Sequence, residues 1–143
     1  MSINDTKKWF EQALPEPTAK HACIQIGCAF EETGELARTL YDFPLHCQLT
    51  FVADAYKRVD PCSASMIERL DDDEKVQMLD DIVDEIVTRI GIAHCMGFDI
   101  AGALKEVNRS NFSKFEGGKP VFDCNGKITK GKNYTPPNLK PFV

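Results

Sequence analysis

The chain has 143 residues, 43% hydrophobic and 27% charged, with a net charge of -5. That suffices for one domain, residues 1–143, with a real core, and no apolar run approaches the roughly 20 residues a membrane span needs. From Lys114 onward six lysines oppose Glu116 and Asp123, giving +4, so the first 113 residues carry -9, an acidic body ill suited to nucleic acid.

Elements follow in chain order. The start, "MSINDTKKWF", lacks the apolar centre of a secretory signal, so the expectation is a cytoplasmic protein, in host cytoplasm if a phage encodes it. After Pro17-Thr18, "AKHACIQIGCAFEETGELARTL" keeps apolar residues at helical intervals. "LHCQLTFVADAYKRV" reads as a second helix entered after Pro44. A third runs from "SMIERL" or "DDDEK" to "AHCMG", with Gly97 as its C-cap signal. Asp99 can cap a fourth, "IAGALKEVNRSNFSKF". From about residue 117 to 143 the chain changes to a basic, non-helical tail. "VFDCNGKIT" has the Asn-Gly signal of a tight hairpin, and "NYTPPNLKPFV" carries three prolines. The fold class is therefore all-α, a helical bundle with a short C-terminal hairpin or extended tail. The six cysteines form no C-x-x-C pair and read as reduced thiols packed as small apolar groups rather than as disulfides or a zinc site.

Two stretches, "EETGE" at 31–35 and "DDIVDE" at 80–85, place acids at the same spacing on two expected helices. At about 100° per residue, Glu31 and Glu35 lie along one line with Ile24 and Cys28, which favour a dry setting. On the other helix the apolar arc of Leu79, Ile82, Val83, Ile86, Val87 and Ile90 ends beside Asp80 and Asp84. The two rows are expected to face each other across a bundle. Carboxylates gathered in a partly dry cleft take up protons or need a counterion, and magnesium or manganese is the hard cation that prefers their oxygens. Two or three such ions holding a polyphosphate would account for the acids; solvated faces of two amphipathic helices are the plain alternative. Gln25, two turns before Glu32, would line the same pocket or cap the cleft.

"EETGEL" followed by "DDIVDEI" resembles the E-x-x-E and E-x-x-D signature of the MazG-like all-α nucleoside triphosphate pyrophosphatases, which include phosphoribosyl-ATP pyrophosphohydrolase. "GIAHCMGFDIAGALKEVNRSNFSKF" and "GKPVFDCNGKITKGKNYTPPNL" are similar to phage and bacterial members, which carry E-V-x-R-S-N-x-S/T-K and D-x-x-G-K-x-x-K-G-x-x-Y-x-x-P. The resemblance implies a MazG-like helical bundle that assembles as a homodimer or homotetramer. It implies hydrolysis of a nucleoside triphosphate to the monophosphate and pyrophosphate, with (d)GTP among the substrates, as in MazZ-type phage enzymes. Glu32, Glu35, Asp81 and Asp84 take the catalytic and metal-ligand places. Asp81 stands where Glu is usual, and the gap between the motifs is longer than the common spacing, so Asp80 is an alternative to Asp81. Glu31 is an outer ligand, a base or a surface acid. Glu35 or Glu32 would take the proton of the attacking water. Lys114 and Arg109 are candidates for neutralising phosphate, or solvated cations. Asn108 and Asn111 are candidates for reading a sugar hydroxyl or base edge. Phosphoribosyl-ATP hydrolysis and a non-catalytic nucleotide-binding module are the alternatives.

Overall fold

The computed structural model describes residues 3–124 and 126–143, and within them the chain forms six α-helices: α1 Ile3–Ala13, α2 Ala19–Thr39, α3 Phe43–Lys57, α4 Pro61–Glu68, α5 Asp72–Cys95 and α6 Ile100–Phe112. A 3-10 turn, Lys140–Phe142, follows in the tail. Among the described residues no single helix is long and apolar enough to cross a membrane. The all-α expectation holds. The expected second helix starts two residues early, because Asp42 caps Leu45 N–H and Pro44 fits the first turn, where its missing N–H is no loss. The expected third helix takes the later of its two starts, at "DDDEK", and "SMIERL" falls to a separate short helix. Asp60 caps a short α4, and Asp71 with Glu74 forms a capping box that restarts the chain as α5. Sequence reading assigned no helix to α1, whose amphipathic pattern buries Trp9 and Ala13.

The chain divides into two compact units. One holds α2, α3 and α4 with Cys124, Gly126 and Lys127. Its core is built of small residues: Cys23 and Ala37 on α2, Ala53 on α3 and Ala64 on α4, with Ile24 beside them. Gly27 and Gly34 let the antiparallel α2 and α3 approach closely. A Cβ at Gly27 would lie 2.7 Å from the Ala53 carbonyl oxygen and 2.7 Å from Lys57 Cγ. His46 donates from Nδ1 to the Gly34 carbonyl at 2.9 Å, so this histidine fastens the pair.

The other unit holds α1, α5, α6 and the rest of the tail. Trp9, Ala13 and Phe115 form its centre, with Phe10, Leu14 and Ile128 packed around them. Trp9 stacks on Phe115 at 5.8 Å between ring centroids, and its indole N–H donates to the Asn111 carbonyl at 2.9 Å. Phe122 and Ile128 pair in an antiparallel bridge, around the expected hairpin whose Asn125 lies outside the described residues; Gly126 takes φ of 79°. The apolar arc of α5 is solvent-facing: Leu79, Ile82, Val83, Ile86, Val87 and Ile90 are each 39–61% exposed. Of the cysteines only Cys23 is buried and Cys28 partly so. Cys47, Cys62, Cys95 and Cys124 are exposed thiols, contrary to their expected packing, because each falls on an outward face or in the tail. All six are free.

Candidate functional site

On α2 the three acids have different surroundings. Glu31 is half-buried, and both of its oxygens are taken: Lys57 Nζ donates to Oε1 at 2.9 Å and Lys127 Nζ to Oε2 at 3.0 Å. Lys57 also reaches Asp54 at 3.4 Å. Close packing at Gly27 produces this geometry, since the Lys57 stem crosses the bare glycine and its ammonium meets Glu31 one turn further along α2. Burial raises the Glu31 pKa, but hydrogen bonds from Lys57 and Lys127 outweigh it and leave the carboxyl below its ordinary value. Burial likewise works against the charge on both lysines, and their bonds to Glu31 more than restore it. Cys28, on the same line of α2, has its thiol pushed up by burial, with Lys127 opposing. Glu32 and Glu35 are exposed on α2, and Gln25 is half-buried.

On α5, Asp80, Asp81 and Asp84 are all exposed. Gln77 Nε2 donates to Asp81 at 3.1 Å, which orients that carboxylate. The α2 and α5 rows belong to different compact units. Among the described residues no three His, Cys, Asp or Glu side chains gather as a metal-holding group. Each helix therefore offers carboxylate pairs rather than a closed cage. Pairs of oxygen donors suit magnesium, which keeps several waters and binds one or two carboxylates alongside substrate phosphates.

The motif on α6 has a structural task in this chain. Arg109 grips Glu106 with two parallel bonds of 2.8 Å and donates to the Pro136 carbonyl at 3.1 Å. Glu106 also accepts from Asn138 N–H at 2.9 Å. The Arg109 bonds, aided by Asn138, hold the Glu106 carboxyl down to about 2. Ser110 Oγ donates to the Thr135 carbonyl at 2.9 Å, and Thr135 N–H donates to Ser113 Oγ at 2.9 Å. The segment Glu106, Arg109, Ser110, Ser113 thus straps the proline-rich tail along α6. Gly131 is required there, because a Cβ would lie 2.6 Å from the Lys114 carbonyl oxygen.

Asn108 is buried and accepts from Thr6 Oγ1 at 3.0 Å; with Arg109, Phe112, Phe142, Lys105 and Asp5 it lines a cavity of about 550 Å³. Asn111 and Lys114 sit instead at Trp9, the Lys114 ammonium 5.7 Å from the ring centroid. The structure thus brings together Asn108 and Arg109, and separately Asn111 and Lys114. Sequence reading missed Lys57 and Lys127 as partners of Glu31, and Glu106 as the partner of Arg109. Only the last lay within reach, as an acid three residues before a base on one helix.

Comparison with protein-family models, curated proteins and solved structures found no match.

Proposed function

We propose that the protein is a metal-dependent nucleoside triphosphate pyrophosphohydrolase of MazG-like type, converting a (d)NTP, with dGTP and GTP the first candidates, to the monophosphate and pyrophosphate. The observation that carries this reading is the pair of i, i+3 carboxylate sets, Glu32 with Glu35 on α2 and Asp81 with Asp84 on α5, each on an exposed helical face. Their order relative to the α6 motif and the lysine-glycine-proline tail supports it.

Magnesium or manganese would be held by carboxylate pairs, Glu32 with Glu35 on α2 and Asp81 with Asp84 on α5, Asp80 being the alternative to Asp81, and would neutralise phosphate charge and supply a bound water of lowered pKa. Glu35 or Glu32 accepts the proton of the attacking water. Lys114, whose ammonium lies over the Trp9 ring, offers positive charge to the phosphates, and Arg109, paired with Glu106, is the second candidate cation. Glu31, with both oxygens on ammonium groups, positions lysines.

Self-association belongs to the same reading. The exposed arc at 79, 82, 83, 86, 87 and 90 steps by 3, 1, 3, 1 and 3, a sequence identical from either end. Two antiparallel copies of α5 would set Leu79 against Ile90, Ile82 against Val87 and Val83 against Ile86, each contact occurring twice, as in any two-fold interface. Six aliphatic residues at 39–61% exposure form a patch on the order of 500 Å² per copy, near the upper range left uncovered on monomers.

The deciding experiment measures pyrophosphate release from the eight common NTPs and dNTPs, and from phosphoribosyl-ATP, with magnesium. Release should vanish with EDTA and fall at least about 100-fold in Glu35→Gln. Release from phosphoribosyl-ATP alone would reassign the substrate. Nucleotide binding without any release would leave a binding module.

A further inference from the structure

We propose that the concavity beside the far end of the α2 and α3 pair is a binding site for phosphate oxyanions, lined by Lys20, Lys57, Arg58, Val59 and Cys124. It encloses about 380 Å³ within one compact unit, and no carboxylate is among its described lining residues. Three cations converge there. Lys57 is held in place by Glu31 and Asp54, so its orientation is set before any ligand arrives. Among the described residues Lys20 and Arg58 make no ion pair, and both are exposed.

The placement of Lys20 runs against helix stability, whereas Lys57 and Arg58 stand at the C-terminal end of α3, where cations are favoured. Lys20 stands in the first turn of α2, the positive end of the helix dipole, where an acid would be favoured. An anion in the concavity offsets that penalty. Arg58 adds a planar fork that matches phosphate oxygens two at a time. Val59 follows with φ of 52°, a left-handed conformation costly for a β-branched residue, and it lines the same concavity. Lys20 and Arg58, which make no ion pair among the described residues, stand beside a Lys57 already paired with Glu31 and Asp54, and together suit a ligand of two negative charges. That is the chemistry of pyrophosphate and of the phosphate chain of a nucleotide.

The site does not depend on the hydrolase reading, because its binding needs no metal. Calorimetric titration of the full chain with inorganic pyrophosphate in EDTA should give saturable binding of one anion per chain. Arg58→Ala and Lys20→Ala, both exposed and checked for retained helicity, should weaken it about tenfold each, and Arg38→Ala, outside the concavity, should leave it unchanged. Raising salt from 50 to 200 mM should weaken it further. Guanosine triphosphate in EDTA separates the sources. Tighter binding than pyrophosphate, lost in Arg58→Ala, assigns the site to nucleotide phosphates, and the reverse order assigns it to the free anion. Absence of saturable binding, or equal affinity in all variants, overturns the proposal.

Discussion

Lys127 Nζ lies 3.0 Å from Glu31, 96 positions earlier, and takes the carboxylate oxygen that Lys57 leaves open. An acid from a repeated acidic motif is thus already neutralised from within the chain. Because the Lys57 side chain is 19% exposed and that of Lys127 43%, the two bonds should differ in strength. Lys57→Met should destabilise by about 1 to 2 kcal/mol and Lys127→Met by less than about 1 kcal/mol, as solvent screens the outer pair. Urea unfolding of each variant, alone and with Glu31→Gln, measures the coupling. Equal losses with and without Glu31 would show that the lysines act elsewhere.

Acid should loosen the tail. The folded Glu106 carboxyl titrates at about 2 against an ordinary 4.5, so its contribution is complete above 4.5 and disappears as pH falls toward about 2. The depressed Glu31 carboxyl acts in the same direction. Carboxyl chemical shifts should show Glu106 ionised at pH 3. A midpoint near 4.5 would mean that Arg109 and Asn138 do not hold it.

The choice between Asp80 and Asp81 can be settled by magnesium dependence. Asp84→Asn and Asp81→Asn should each raise the magnesium concentration for half-maximal pyrophosphate release by about 10 to 100-fold, with Asp80→Asn close to wild type. The opposite order for Asp80 and Asp81 makes Asp80 the ligand. Three near-neutral variants would remove α5 from the site.

Gly27→Ala should destabilise by roughly 1 to 3 kcal/mol, since the added carbon meets a backbone carbonyl that cannot step aside. Gly91→Ala, with open space around it, should be neutral or stabilising by up to about 1 kcal/mol. Thermal melts of both variants supply the comparison.

Light scattering should find the wild-type chain as a dimer or tetramer. Ile86→Glu, at the centre of the α5 arc, should shift it toward monomer by at least tenfold in dissociation constant, because a charge would be buried against its own copy. An unchanged mass would place the interface elsewhere.

Much of the architecture was legible because it is local. Thr18, Asp71 and Asp99 announce helix starts through side chains that cap amides within three residues. The division at Arg69–Asp71 was harder, since an apolar rhythm continues through "SMIERL" while the caps interrupt it. At the site, spacing identified acids that share a face, but spacing carries no information on distant partners. Lys57 meets Glu31 across 26 residues, and that contact depends on the missing side chain of Gly27, a shape rather than a pattern. Trp9, 6% exposed, completes a core with Phe115 from the far end of the chain, another contact that spacing does not encode.

The division into two units also orders events during synthesis. Nearly all of the α2, α3 and α4 unit lies within residues 16–70, and its main contacts are between neighbours in sequence, so it can assemble while the remainder is still being made. The other unit joins α1 to residues 71–123 and 128–143 and must await the synthesis of those segments. Until residue 115 has emerged Trp9 lacks its stacking partner, which makes that interval the one in which a nascent chain most needs a chaperone.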